Sequence, residues 1–268
     1  MADEARRGSG PASITVAVLA RDEADFIEGC LASVGWADEL LVLVDAATRD
    51  STVETARRFT ERVEVRPFAG FPRQRNLALD LAGGRWVLFV DADERVPPAL
   101  AAEIRRTLAK GSEAVGFWIP RRNLICGRWV RTAGWWPDCQ LRLLRRGAAR
   151  YDEAEHVHEV ARLDGPAGRL LEPLLHLNYE TLGEFRQKQG RYARLEARAL
   201  HGGGVNARRR SLLGQPAREL WRRFVELGGY RQGWLGLELS LLMAEAKYRT
   251  YRELQSVQSL SGRSDGWR

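Results

Sequence analysis

The sequence predicts an α/β fold with a mainly parallel central sheet flanked by helices and a helical C-terminal appendage. Three observations carry this. Apolar runs suited to buried strands alternate with stretches of helical period up to residue 120, several runs end in carboxylates, and the basic excess is confined to the C-terminal part.

The first run, ITVAVLA at 14–20, reads as a buried strand, and EADFIEGCLASV then sets Ile27, Cys30, Leu31 and Val34 on one helical face. LLVLVDA at 40–46 is the second strand, and Asp50 stands as an N-cap before the helix of STVETARRFT. A short strand at 63–65 precedes a helix over 73–82 closed by Gly83 and Gly84, and RWVLFV at 85–90 is the fourth strand. The next helix, PPALAAEIRRTLA, opens on two prolines, which a first turn accepts because its N–H groups lack helical partners. Strand and helix alternating at this spacing give a parallel sheet covered on both faces.

A chain of 268 residues with 44% apolar content can bury a sizeable core. Its start, MADEARRGSGPAS, has no apolar core region and reads as a disordered lead over 1–12, not a signal peptide. The three cysteines, Cys30, Cys126 and Cys139, are odd in number and lack metal-ligand spacing, which argues against a disulfide framework or a zinc site and fits a reducing cytoplasm. The net charge of +7 is unevenly placed. Residues 1–180 carry 25 basic and 27 acidic side chains whereas residues 181–254 carry 15 and 7, so the excess belongs to the C-terminal part.

In open α/β sheets a ligand sits outside the carboxyl ends of the strands. The fourth strand delivers Asp91, Asp93 and Glu94 there, the second delivers Asp45, and Asp22 and Glu23 follow the first. Acids at such an edge suit a divalent cation, which takes oxygen ligands and would offset a diphosphate. Asp91 and Asp93 face one side if the chain stays extended through Ala92. Capping of the following helix by Asp93 or Glu94 is the alternative reading of the same D-x-D. Carboxylates on three strand ends favour a polar site.

With these residues in view, VAVLARDEADFIEGCLASV, VDAATRDST and GFPRQRNLALDLAGGRWVLFVDADE are similar to the N-terminal half of family-2 glycosyltransferases, which bind nucleotide sugars on a GT-A fold. IPRRNLICGRWVRTAGWWPDCQLRLLRRGAARY followed by HVHEV resembles the subgroup that includes bacterial lipopolysaccharide-core β-glucosyltransferases. The resemblance covers about residues 13–200 and implies a GT-A catalytic domain over 13–180. It implies that Asp45 contacts the nucleoside, with Asp22 and Glu23 nearby, and that Arg75 and Asn76 lie on the nucleotide side. Asp91 and Asp93 would form the D-x-D pair, Asp93 being the direct ligand of Mg2+ or Mn2+. Arg142 would sit near the leaving diphosphate, and Asp138 would be the general base. The implied donor is a nucleoside-diphosphate sugar, a UDP-hexose before others, and the implied acceptor a glycolipid or cell-envelope saccharide. There are departures: Ala46, Ala47 and Thr48 replace a Ser/Gly-rich turn, and Pro137 stands where a second acid is usual.

Inverting transfer needs a base for the acceptor hydroxyl and an electrophile for the departing diphosphate, with no covalent intermediate. A carboxylate within about 2.6–3.2 Å of the hydroxyl serves as the first. A cation on Asp93, aided by Arg142, serves as the second. For Asp138 the alternative is a turn cap after Pro137. His156 and His158, at i and i+2, would share one side of a strand, and His158, where the subgroup keeps its HE pair, would complete the metal site or be an ordinary hydrogen-bonded histidine. His176 in LLHLNY carries less signal. Trp135 and Trp136 adjoin Asp138 and suit stacking on an acceptor sugar, core packing being the other use of such rings.

In the basic region, 181–254, Leu212, Leu213, Trp221 and Phe224 are interleaved with Arg208, Arg209, Arg210, Arg218 and Arg222. That mixture fits helices in an anionic membrane interface, or helices packed on the protein with a solvated arginine face. WLGLELSLLMA, interrupted by Glu238, is too short to span a bilayer, so the expectation is a cytoplasmic protein peripheral on the inner face of the membrane. No nucleic-acid motif is present and no nucleic-acid partner is expected. Residues 255–268 read as a disordered tail. Two rival functions present the same acids: a metal-dependent nucleotidyltransferase, and a non-catalytic membrane-surface module that binds a sugar nucleotide without turnover.

Overall fold

The computed structural model of the protein describes residues 13–154 and 160–264, with side chains described up to residue 259. The lead at 1–12 and the segment 155–159, which holds His156 and His158, lie outside the described residues.

The parallel half of the fold comprises β1 (Ile14–Ala20), α1 (Ala24–Ser33), β2 (Glu39–Asp45), α2 (Thr52–Arg57), β3 (Val63–Arg66), α3 (Phe71–Leu81) and β4 (Trp86–Asp91). There follow β5 (Glu94–Arg95), α4 (Pro98–Ala109), β6 (Gly116–Ile125), β7 (Arg128–Trp129) and β8 (Asp138–Arg145). The short strands β9 (Ala149–Arg150), β10 (Arg162–Leu163) and β11 (Ala167–Arg169) lead to β12 (Leu174–Tyr179). Three long helices close the chain: α5 (Leu182–Gly202), α6 (Ser211–Trp221) and α7 (Gly233–Ser264).

Among the described residues one sheet runs in the order β3-β2-β1-β4-β8-β6-β12-β5, with β7 and β11 also paired to β6. β3, β2, β1 and β4 are parallel, as expected; β8 then pairs antiparallel to β4, and β6 antiparallel to β8. This reversal positions the site. An antiparallel strand begins at the edge where its parallel neighbours finish, so Asp138, the first residue of β8, starts beside the end of β4.

Burial on both faces explains the continuous apolar runs. Val16, Val18 and Leu88 pack on one side with Ile27 and Leu31 of α1 and Ile104 of α4. Ala17, Val87 and Phe89 pack on the other with Ala78 and Leu79 of α3. The strand period of two sends alternate residues to opposite faces, and here both faces are dry.

The described residues form two compact units, 13–122 with 138–176 and 123–137 with 177–264. The second differs from the domain division expected from sequence, in which residues up to 180 formed one domain. Residues 123–137 belong with the C-terminal helices because the helices hold them: the Ala133 N–H donates to the Leu227 carbonyl at 2.9 Å, and Arg223 donates to the Ala133 carbonyl at 2.8 Å. Ile125, Val130, Tyr179, Phe185, Leu235 and Leu239 make that unit's core. α7 runs to Ser264, into the stretch expected as a disordered tail; Leu254 is fully buried, and Gln258 donates to the Val205 carbonyl at 2.8 Å.

Candidate active site

Asp45 and Asp91 flank the end of β1. Ala20 is in register with Val44, the residue before Asp45, and Leu19 is in register with Asp91. Strand spacing puts two such acids roughly 10 Å apart on one rim.

The chain does not stay extended through Ala92, contrary to the condition under which Asp91 and Asp93 would share a side. It turns at Ala92 and Asp93 before β5. Arg95 holds the turn, donating to the carbonyls of Ala92 at 2.9 Å, Glu94 at 2.8 Å and Phe26 at 2.9 Å. The two aspartates therefore diverge. Asp91 meets Arg142, and Asp93 meets His176, whose Nε2 lies 3.2 Å from its carboxylate. The helix-capping alternative does not hold: α4 begins behind Pro97 with no side-chain cap.

Glu94 is fully buried and forms the hub of an ion-pair network. One oxygen accepts from the Asp91 N–H at 3.0 Å. The other accepts from Arg142 at 3.2 Å and from Arg121 at 3.5 Å. Arg142, itself buried, grips both oxygens of Asp91, through Nη1 at 3.2 Å and through a closer contact from Nη2. Arg121 in turn binds Asp138, its register partner on β8, through Nε at 2.9 Å and Nη2 at 2.7 Å, while Gln140 donates to the other Asp138 oxygen at 2.8 Å. A continuous chain of contacts thus joins Asp91, Arg142, Glu94, Arg121 and Asp138.

The network separates the two acids it encloses. Burial pushes the Asp91 carboxyl up, but Arg142, with Arg75 and Arg121 beyond it, more than offsets this and holds it well below the usual carboxylate range. At Glu94 burial wins: despite Arg142 and Arg121, and with the Asp91 charge adding to it, the carboxyl is raised. Burial opposes the charge on Arg142, yet Asp91 and Glu94 keep it protonated.

Beside this network lies a cavity of about 310 Å3 lined by Arg21, Glu23, Asp45, Phe68, Phe71 and Gln74, among others. Asp45 is buried; its Oδ1 accepts from the Ala47 N–H at 2.9 Å, while Oδ2 is 3.1 Å from the Arg21 guanidinium and takes no hydrogen bond. A buried carboxylate oxygen with an unmet acceptor site suits a ligand N–H or O–H. Phe68 and Phe71 meet edge to face at 5.0 Å and leave about half of each side chain exposed.

Other expected site residues are placed differently. Asp22 sits in the left-handed region at φ 52°, and its Oδ1 accepts from the Arg49 N–H at 2.8 Å. It therefore ties the turn after β1 to the loop after β2. Asp50 does the same for the helix starts, accepting from Thr52 N at 3.0 Å and Ala24 N at 2.9 Å. Asn76 spends its amide on Tyr151, donating to its carbonyl at 3.0 Å and accepting from its N–H at 2.9 Å. Arg75 stands over the Tyr151 ring at 5.3 Å and adds to the positive field at Asp91. Trp135 and Trp136 belong to the second unit, where Trp135 packs on Phe185 at 5.8 Å and Trp136 meets Trp129 edge to face at 5.3 Å. His158 is outside the described residues.

Sequence reasoning did not select Arg121, the hub role of Glu94, the aromatic pair Phe68 and Phe71, or the contact of His176 with Asp93. Arg121 and His176 lie on strands whose partners are distant in sequence, so only the register reveals them. Glu94 carried a signal, as an acid at the end of a buried strand.

The glycosyl transferase family 2 profile matches residues 15–158. The chain is 26% identical over 252 residues to the lipopolysaccharide core biosynthesis glycosyltransferase LpsC of Rhizobium meliloti, covering 92% of this chain and 93% of that protein. Among solved structures it is similar to S. aureus TarS 1-349 in complex with UDP-GlcNAc, at 14% identity and a TM-score of 0.47 over 92% of each chain. It is also similar to glucosyl-3-phosphoglycerate synthase from Mycobacterium tuberculosis, at 18% identity and a TM-score of 0.48, covering 76% of this chain and 84% of that one. With more than half of its length matched by the family profile, and a mixed α/β fold whose first four sheet strands are parallel, the chain belongs to glycosyl transferase family 2.

Proposed function

We propose that the protein transfers a hexose with inversion from a nucleoside-diphosphate sugar, a UDP-hexose before others, to a hydroxyl of a glycolipid or cell-envelope saccharide. The observation that carries the reading is that Asp45, Asp91 and Asp138 come from three strands to one rim of a single sheet, the last two joined through Arg142, Glu94 and Arg121. Asp45, whose Oδ2 takes no hydrogen bond but is ion-paired with Arg21, takes the nucleoside in the cavity it lines with Phe68 and Phe71. Asp138 removes the acceptor proton; Arg121 fixes one of its oxygens on β8, and the carboxylate is 26% exposed, enough for a hydroxyl to reach it. Arg142 keeps its charge beside the rim and stabilises the negative charge that grows on the leaving diphosphate.

A divalent cation fits part of this set. Both Asp91 oxygens are engaged by Arg142, so Asp91 is a poor ligand; Asp93 is 25% exposed, with His176 Nε2 at 3.2 Å from its carboxylate. Among the described residues no group of three or more His, Cys, Asp or Glu forms a complete cage. Asp93, with His176 as neighbour, would hold Mg2+ or Mn2+, the other ligands coming from the diphosphate and water. The ion would supply Lewis-acid neutralisation of the diphosphate. No helix of the described residues is long and apolar enough to cross a membrane, and a lipid-linked acceptor is best served by a cytoplasmic enzyme resting on the inner leaflet.

The test is incubation with a panel of nucleotide sugars and a deacylated core acceptor. Release of the nucleoside diphosphate together with a product of inverted anomeric configuration supports the reading. Release of pyrophosphate from nucleoside triphosphates instead would identify a nucleotidyltransferase, and binding without any product would identify a non-catalytic module.

A further inference from the structure

On the second unit a groove of about 660 Å3 lies between α5 and α7, lined by Arg191 and Arg194 from one helix and Arg249 and Arg252 from the other. Glu253 is the acid that lines it. Arg249 is paired with Glu245 at 2.6 Å, and its guanidinium passes 3.0 Å from where a Cβ on Gly190 would stand, so the missing side chain lets it lie across α5. The guanidinium groups of Arg191, Arg194 and Arg252 have no ion pair or hydrogen bond among the described residues. Like charges gathered without partners repel one another, and a phosphate-bearing ligand is the chemistry that relieves them, since guanidinium groups bind phosphate oxygens in pairs.

A second feature indicates which phosphate. On α5, Arg191, Arg194, Leu195 and Arg198 recur at the spacing of one helical face, and all four are exposed. Leu195 is 60% exposed and its neighbour Tyr192 is 50% exposed. A free anion has no use for an exposed leucine. A lipid surface does, because arginine heads meet the phosphates while apolar and aromatic tips enter the acyl boundary.

From this charge match we infer that the α5–α7 arginine groove docks the protein on the phosphates of an anionic phospholipid surface. The inference deepens the proposed membrane-side reading by naming its contact surface, which is not the arginine run at 208–210 that the sequence emphasised. It is testable without turnover.

The test is co-sedimentation of the full chain with phosphatidylcholine vesicles, with and without phosphatidylglycerol. The wild type is expected to sediment only with the anionic vesicles. Combined Arg191→Gln, Arg194→Gln and Arg252→Gln substitutions should lower partitioning on the order of a hundredfold, given the contribution of each arginine near a charged surface. Leu195→Gln should lower it severalfold. Should the triple variant fail to fold, hydrogen exchange on the wild type decides: anionic vesicles must protect segments 187–194 and 249–253. Unchanged partitioning of a folded triple variant overturns the inference. So does loss of vesicle binding on replacing Arg208, Arg209 and Arg210 alone, or protection of the groove by inorganic phosphate or single-stranded RNA but not by vesicles. Transfer to a soluble acceptor, measured in parallel, should be unaffected by the groove substitutions. Failure of the transfer assay alone would therefore count against the enzymatic reading and leave the docking result standing.

Discussion

Arg121 on β6 and Asp138 on β8 are direct register partners, and the guanidinium holds a single carboxylate oxygen through both Nε and Nη2. The same arginine reaches the buried Glu94, which ties the proposed base to the acids at the end of β4. A carboxylate that must accept a proton is thus fixed by a group that never gives one up, since guanidinium stays protonated.

Replacing Asp138 with Asn keeps the shape and the Gln140 neighbour but removes the base. Transfer is expected to fall by about 10²–10⁴ in kcat, the range of general-base contributions, with donor affinity within a factor of two or so. Steady-state kinetics beside calorimetric titration of the donor checks this. A kcat that holds within about tenfold would remove Asp138 from the mechanism.

Arg121→Met and Arg121→Lys separate position from stability. The methionine leaves Glu94 with Arg142 and the Asp91 N–H, and Asp138 with Gln140, and stability should drop by about 3 kcal/mol or less, because Arg121 and Asp138 are only partly buried. The lysine restores a charge but not the fork that serves two acids, so stability should recover in part while kcat stays low at unchanged donor KM. Urea unfolding and kinetics on both variants provide the comparison. Equal recovery of both quantities in the lysine variant would assign Arg121 a purely structural role.

Much of this was legible in the residues, and the rest was hidden for definite reasons. The parallel strands were readable because both faces are buried, which leaves long runs such as Val87 to Val90 unbroken by polar residues. Asp45 and Asp91 followed from the rule that strand ends in such sheets meet ligands. Asp22 and Asn76 were expected at the donor; in the fold Asp22 accepts from the Arg49 N–H, and Asn76 bonds the Tyr151 backbone and donates to the Glu153 carboxylate, contacts to distant segments that the sequence does not mark. The grouping of residues 123–137 with the C-terminal helices was not legible, because nothing local marks a segment whose backbone is held by Leu227 and Arg223, far along the chain.

Asp91 and Glu94 should give opposite pH signatures. In Asp91 the folded carboxyl lies below its unfolded value of about 3.9, so between the two the unfolded chain binds more protons. Its contribution is present above that value and is lost as pH falls through the folded one. Glu94 is raised above its unfolded value of about 4.3, so the folded chain holds the proton longer, and stability declines as pH rises through the folded value. Asp91→Asn is therefore expected to flatten the loss of stability in acid, and Glu94→Gln the decline above it. Urea midpoints collected across the acid and neutral range test this, and parallel curves for both variants and wild type would refute it.

Asp45→Asn should weaken nucleotide binding without touching the chemistry. Asp45 lines the cavity and its Oδ2, paired with Arg21, takes no hydrogen bond, so it offers a charged acceptor; a hydrogen bond to a charged group contributes about 1.5–3 kcal/mol, or roughly ten- to a hundredfold in Kd. The free nucleoside diphosphate should lose as much affinity as the whole donor, which places the contact on the nucleoside. Loss confined to the sugar-bearing donor would move Asp45 away from that role. Phe68→Ala offers a second probe of the same cavity, since its ring is exposed there and holds no core position.

The cation dependence of donor binding separates the two aspartates of the D-x-D. Both Asp91 oxygens are held by Arg142, whereas the Asp93 carboxylate is partly open and faces His176. A chelator should therefore weaken donor binding by the wild type, and Asp93→Ala should show the weak affinity from the start and ignore the chelator. His176→Ala should remain chelator-sensitive with a smaller loss, because an oxygen-seeking ion depends more on the carboxylate than on an imidazole. Asp91→Asn is expected to lose stability more than cation dependence, as it frees Arg142 in a buried site. Donor titrations with and without Mn2+ read all four proteins on one scale. Full chelator sensitivity in Asp93→Ala would place the ion on other residues.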